Sequence, residues 1–382
     1  MKMLKYTDKI LLIISVLLFS IGLIMIFSSS SISAFMRYNK TSYSFLMKQA
    51  GILALGIFLF IFVIHFSTKT YSAMSWFALV AFFCLLLALL TFGTIVNAAK
   101  SWIDVGPFSF QPSEFVKVIL IVWYSAFFEL NRHNLSKMSK SFFAIGVSTL
   151  FALLIVLQPD FGTAAIIMIL SFMLYYMIPV DRLVKFKVIS ISLMIITIVL
   201  MGYYIYNTSS FQRQISRFDF TEPCSQEKFE GIGNQVCNSY IAFNNGNLWG
   251  KGLGNSTQKY LYLPESHTDF IFAIVVEELG FVKSCGIILL YILLLWRIIY
   301  IGMKSISSRG SIICYGVAIY IFLHIAVNLC GIMGLLPLTG VPLPFLSYGG
   351  SFTLSLILAL SIVQRVAIET KLKKLGKLST NE

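Results

Sequence analysis

The stretch LPESHTDFIFAIVVEELGF, residues 263–281, sets four carboxylates and a histidine against an apolar run. Glu265, His267 and Asp269 precede the run; Glu277 and Glu278 lie inside it. Side chains of these types can take a proton as a general base, ligate a divalent cation, or cap a helix. If residues 269–298 form one membrane-crossing helix with Arg297 at its inner end, Glu277 stands roughly 30 Å above that arginine and Asp269 about 12 Å higher, at about 1.5 Å per residue. Such a helix carries an acidic ladder from the outer surface into the bundle, and its N-terminus stabilises the anions at the top. Ionisable groups at these depths are costly and mark function by default. The bland alternative is that Asp269 caps the helix and Glu277 pairs with a base.

Three further stretches carry polar groups. NAAKSWIDVGPFSFQPSEFVKV, residues 97–118, places Pro112 where a helix begins and spaces Glu114 and Lys117 three apart on one face, where the two can neutralise each other. Trp102 and Phe108 suit a membrane interface. GLLPLTGVPLPFLSYGGS, residues 334–351, is too rich in proline and glycine to continue a helix. At membrane depth such irregular backbone must be buried in protein or line a polar cavity, so it reads as a rigid wall. In LQPDFGTA, residues 157–164, Asp160 reads as the N-cap of the next helix.

The elements that must position these residues follow from composition. Of 382 residues, 58% are hydrophobic and only 12% charged, which excludes a soluble globular chain. Runs such as Ile10 to Phe27 approach the roughly 20 residues needed to cross a bilayer, whereas transmembrane β-strands are short and alternate. The expectation is an all-α polytopic protein, one domain over 1–382. About ten helices are expected, near 9–29, 46–66, 75–96, 112–129, 141–158, 161–178, 184–206, 269–298, 311–335 and 348–368. The first run, preceded by Lys2, Lys5 and Lys9, is long for a secretory signal and reads as an uncleaved helix.

An even number of spans puts both termini on one side. Loops on that side hold 18 of the 29 lysines and arginines but only five acids, Asp8, Glu129, Asp181, Glu369 and Glu382, so they carry the whole formal charge of +13. By the bias of basic residues that side is cytoplasmic, with 369–382 as a cytoplasmic tail. The charge reflects topology and anionic lipid, and no basic domain for nucleic acid exists. The one long loop, 207–268, falls outside, ahead of the eighth helix; at roughly 60 residues it is functional or loose. It holds Cys224 and Cys237, 13 residues apart. A local disulfide and two free thiols are both open readings there. No internal repeat is evident.

At these residues the chain resembles the FtsW/RodA/SpoVE family of bacterial cell-wall polymerases, the SEDS proteins. SWIDVGPFSFQPSEFVK, LQPDFGTA, GKGLGNSTQKYLYLPESHTDFIFAIVVEELGF and GLLPLTGVPLPFLSYGGS stand in the family's order, and the match covers nearly the whole chain. The resemblance implies a ten-helix glycosyltransferase in the bacterial cytoplasmic membrane. It joins lipid II units into glycan strands outside, beside a class B penicillin-binding protein and other division or elongation proteins. It makes Asp269, in HTDF, the catalytic residue, and matches Trp102 and Glu265 to the family's motifs. Ser101 departs from an arginine common in the family, with Lys100 as a substitute. STQKYLYLPE leans toward the division member, FtsW, and TGVPLPF toward the elongation member.

The reaction so implied needs a base for the attacking hydroxyl and positive charge for a pyrophosphate leaving group. Asp269 is the expected base. Trp102, Glu114, Lys117, Glu265, His267, Glu277 and Ser347 are the expected substrate-binding residues, and Glu265 a candidate ligand for Mg²⁺ or Mn²⁺. Two rivals come from other classes. A lipid II flippase needs a polar path through the full membrane, for which only Lys283 is deep and basic; a non-catalytic scaffold leaves the acidic ladder without a role.

Overall fold

Backbone polar groups in hydrocarbon must be satisfied within their own segment, so apolar runs of this length form helices. The computed structural model describes residues 3–96, 99–106, 108–135, 137–206, 222–225 and 233–377. A 3-10 turn, Met3–Tyr6, leads into α1 (Lys9–Met36), α2 (Ser44–Val63) and α3 (Thr68–Phe92). Three short strands follow, β1 (Thr94–Val96), β2 (Ala99–Val105) and β3 (Phe108–Phe110). Next come α4 (Pro112–Leu130), α5 (Met138–Val156), α6 (Phe161–Met177) and α7 (Arg182–Tyr206). Within the long loop lies α8 (Asn234–Gly246), and beyond it come α9 (Ile271–Leu279), α10 (Phe281–Lys304), α11 (Ser308–Ile332) and α12 (Gly350–Lys374). Among the described residues, seven helices are long and apolar enough to cross a membrane: α1, α2, α3, α5, α10, α11 and α12. Phe58 of α2 and Phe77 of α3 are exposed on the outside of the bundle, as lipid solvation allows.

Two expectations are corrected. The helix expected over 75–96 spans 68–92 instead, and after it β1, β2 and β3 form an antiparallel meander, with Ile103 opposite Phe110 and Asp104 opposite Ser109. The expected helix over 269–298 is broken at Gly280, which holds φ +85°. A side chain there would overlap the backbone of Trp249 and Gly250, and Gly250 holds φ +84° for the same reason. The loop supplies what the break removes. Lys251 and Gly252 donate N–H groups to the carbonyls of Glu277 and Glu278 (3.0 and 2.9 Å), and Phe281 and Val282 donate to Asn247 and Leu248 (2.9 and 3.2 Å).

α12 is the central post, packed on α2, α4, α10 and α11. At its C-terminal, basic end, Asp8 caps α1 and forms a two-pronged ion pair with Arg297 (3.0 and 2.7 Å), while Gln364 bonds both main-chain groups of Asp8. Burial opposes the charge on Asp8, but Arg297 and the Leu11 N–H hold its carboxyl below the usual carboxylate range. At the opposite, N-terminal end of α12 lie the polar motifs.

Candidate functional site

The site is assembled from loops pinned to one another by main-chain bonds. Glu265 adopts φ +54°, and its carbonyl accepts the N–H groups of Thr268 and Phe270 (3.2 Å each), a turn that lifts HTD out of the chain before α9. The proline-rich segment is tied onto that turn. Ser347 Oγ accepts the Leu343 N–H at 2.8 Å and donates to the Thr268 carbonyl at 2.6 Å. The Tyr348 N–H donates to the His267 carbonyl at 2.9 Å. From α11, Asn328 Nδ2 donates to the carbonyls of Asp269 and Val341, both at 2.8 Å. The main chain on both sides of Asp269 is therefore fixed.

Its side chain remains partly exposed. Gly340, at φ +69°, stands beside that carboxylate: a methyl group there would sit 3.4 Å from Asp269 Oδ2. The other motifs close in through the same wall. Gln111, just before α4, bonds Asp160 (3.1 Å) through its side chain and Ser351 (2.8 Å) through its N–H. Asp160 caps α6 through the Thr163 N–H at 3.1 Å, and Gly162 packs directly on Thr339, next to Gly340. Four polar stretches thus meet around Asp269.

The remaining expected residues divide. Glu265 stands four residues before Asp269, with Oε2 accepting from Thr268 Oγ1 at 3.0 Å. His267 is buried between the rings of Phe45 and Tyr348, its Nδ1 without a partner. Burial pushes its imidazole below the usual value, opposed by Glu265 and aided by Arg37. Trp102 lies on β2, half-buried, its carbonyl accepting from Thr94. Ser347 acts as the staple just described, and its hydroxyl is engaged on both sides.

Glu114, Lys117 and Glu277, expected at the substrate, are enclosed. Lys117 Nζ lies 2.8 Å from Glu114 and 3.0 Å from His324 Nε2, all three buried between α4 and α11. Glu277 accepts from Asn245, Ser256, the N–H and hydroxyl of Thr257, Gln258 and Lys251. Glu278 accepts from Ser28 (2.7 Å) and Lys259 (3.0 Å). The expected ladder is instead a pair of anchors around which the loop 245–259 wraps. The burial costs of these carboxylates are offset by those bonds. Cys224 and Cys237 are joined by a disulfide.

Sequence reasoning missed Asn328, Gly340 and Lys259. Asn328 carried a signal, as a lone amide in the apolar run IAVNLCGI; Gly340 was one glycine among several. Among the described residues no group of three or more His, Cys, Asp or Glu side chains is placed to hold a metal ion.

A bundle of membrane-length helices, basic at one end and with a partly exposed aspartate in a cluster of loops at the other, is a multi-pass membrane protein. The chain belongs to the FtsW/RodA/SpoVE family, described as cell cycle proteins, whose family model matches residues 8–372. It is 34% identical to the stage V sporulation protein E of Bacillus subtilis, over 94% of this chain and 96% of that one. Identity is also 34% to the probable peptidoglycan glycosyltransferase FtsW of the same organism, over 97% and 93%. A solved chain from a peptidoglycan synthase complex that coordinates polymerization and crosslinking superposes with TM-score 0.74 at 22% identity, covering 94% of this chain and 97% of that one. The rod shape determining protein RodA of Thermus thermophilus gives 0.65 at 21%, over 94% and 96%. At these identities the two structures speak for the fold.

Proposed function

We propose that this chain is a peptidoglycan glycosyltransferase that polymerises lipid II at the outer face of the cytoplasmic membrane, with Asp269 as its general base. The observation that carries the assignment is the fixing of Asp269: the main chain around it is held by Ser347, Tyr348 and Asn328, while the residue stays partly exposed beside Gly340. A carboxylate held rigid yet accessible suits proton abstraction better than capping.

In the reaction the sugar 4-hydroxyl of one lipid II attacks the anomeric carbon of another with inversion. The C–O bond to undecaprenyl pyrophosphate breaks, the new glycosidic bond forms, and Asp269 takes the hydroxyl proton. The leaving pyrophosphate needs positive charge. Arg37, close enough to His267 to affect it and forming no ion pair among the described residues, is a source of that charge beside the site. A divalent cation, Mg²⁺ or Mn²⁺, is proposed only as a bridge to substrate phosphates, with Glu265 as its carboxylate. No step above depends on it.

The likeness to a chain of a synthase complex supports a crosslinking partner, in our reading a class B penicillin-binding protein. The basic end of the bundle supports cytoplasmic termini. The test is Asp269→Asn in purified protein given lipid II in detergent, with Glu277→Gln beside it. Loss of a general base is worth about 10² to 10⁴ in rate. Folding should survive Asp269→Asn while chain formation collapses; near-normal polymer from that variant would sink the assignment. Chain formation in micelles by the native protein also separates polymerase from flippase, because there is no membrane to cross.

A further inference from the structure

The segment 340–344, which flanks Asp269, is short of its own donors. Pro342 and Pro344 have no N–H, so its carbonyls take donors from other elements. Asn328 Nδ2 donates to Val341 (2.8 Å), His324 Nδ1 to Pro342 (3.4 Å), the Ser347 N–H to Leu343 (3.1 Å) and the Tyr291 hydroxyl to Pro344. Of these donors, His324 is the one joined to an ion pair. His324 and Asn328 stand four residues apart on one face of α11. Asn328 also bonds the Asp269 carbonyl, and Gly340, two residues before Pro342, lies beside the Asp269 carboxylate. Two side chains of α11 therefore set where this wall stands relative to that carboxylate.

The state of the imidazole follows from its other side. Lys117 Nζ lies 3.0 Å from His324 Nε2, and a lysine ammonium paired with Glu114 has protons to give and no lone pair. Nε2 must accept, so the proton of the neutral ring sits on Nδ1, directed at the Pro342 carbonyl. The ring is fully buried and held against rotation. Phe352 of α12 stacks on it at 4.7 Å, and Tyr320, one turn earlier on α11, meets it edge to face at 4.8 Å. Satisfying Lys117 calls for one acceptor. A clamped ring with a second nitrogen turned to the wall links two groups.

We propose that His324 is a positioning residue for the reaction at Asp269: a neutral imidazole that ties the Lys117–Glu114 pair of α4 to Pro342 and so fixes the approach of Gly340 to the carboxylate. Its effect on rate rests on the polymerase reading; its effect on the wall does not.

Two substitutions in the full chain split the imidazole. By bond count the amide of His324→Gln reaches the place of Nε2 and can accept from Lys117, whereas that of His324→Asn takes the place of Nδ1 and can donate to Pro342. Each variant is assayed for glycan-chain formation at varied lipid II, for thermal unfolding in detergent, and for hydrogen exchange in the peptide 338–346, which reads local opening. His324→Gln should unfold as the native protein does and exchange faster in that peptide. Its kcat should fall about 10-fold at unchanged KM, part of the roughly 10² that a 1 Å misplacement costs. His324→Asn should unfold at a lower temperature, because Lys117 loses a partner, yet keep native exchange in the peptide and native kcat per folded molecule. Native turnover in His324→Gln would overturn the proposal and leave the histidine as a partner for Lys117 only. Equal losses of kcat in the two variants, or a rise in KM at native kcat, would overturn it as well. If the native protein makes no polymer, the catalytic reading fails instead, and the exchange comparison decides alone: equal exchange in the two variants overturns the positioning role.

Discussion

Replacing Ser347 with alanine tests whether the catalytic aspartate works because its main chain is clamped. The Ser347 hydroxyl accepts one N–H and donates to one carbonyl, at 2.8 and 2.6 Å. Its removal strands the Leu343 N–H, enclosed in protein, and the Thr268 carbonyl, one residue before Asp269. Each buried group left unpaired costs about 1–3 kcal/mol, so the local cost of the two is about 2–6 kcal/mol. Relaxation that re-pairs these groups must shift the Thr268 peptide, and a shift near 1 Å at a reacting group costs about 10² in rate. Turnover of lipid II should therefore fall about 10²-fold with KM little changed, because no substrate contact is removed. Ser347→Thr, which keeps the hydroxyl, should restore part of it. The assay is glycan-chain formation at varied lipid II, with thermal unfolding in detergent on the same preparations. A stability loss of the expected size with normal turnover would refute the clamp. So would a rise in KM at unchanged kcat, which would make Ser347 a substrate contact instead.

Gly280→Ala forces a side chain into the Gly250 backbone at a positive φ that alone costs about 1–2 kcal/mol. It should loosen the loop, seen as rapid tryptic cleavage at Lys251 and Lys259; unchanged cleavage would show the contact to be dispensable. The Cys224–Cys237 bridge closes a loop for which the chain-entropy model gives about 3 kcal/mol. An unreduced digest should yield that peptide pair, and reduction should lower the unfolding temperature. His267 is buried with its imidazole held below the ordinary value. The fold thus prefers neutral His267, and its contribution, complete above the unfolded value of about 6.5, is lost as pH falls toward the lower folded value. His267→Phe should flatten the decline of the unfolding temperature between pH 7 and pH 5; an identical slope would mean that another group carries it.

Helix positions were legible because ten apolar runs leave the backbone no alternative. The starts at Pro112 and Asp160 were legible because proline and aspartate have specific places in a first turn. α1 was read seven residues short. Its SSSSISA run looks like a loop, yet Ser28, Ser29, Ser30 and Ser33 are buried, with Ser28 bonded to Glu278, a partner 250 residues away. The strands of 94–110 were missed because three short segments give too little alternation to count, and their pairing is a tertiary matter. Asp269 and Ser347, both singled out in the sequence, lie close together in the structure, but the work of Ser347 depends on which carbonyl lies across from it. Glu277 misled for the same reason. An acid inside an apolar run has the same appearance whether it faces a substrate or a folded loop, and only the contact with Thr257 and Gln258 decides.

The splice at Gly280 also constrains the order in which the chain is made. The strip 247–252, whose main chain completes the broken helix, is synthesised ahead of both α9 and α10. It therefore already exists when those helices emerge, so the partner of the hinge is made before the hinge itself. A newly inserted α10 that met no such strip would present unpaired amides of Phe281 and Val282 at its first turn. The main-chain pairing of α10 therefore depends on the strip that precedes it in the chain.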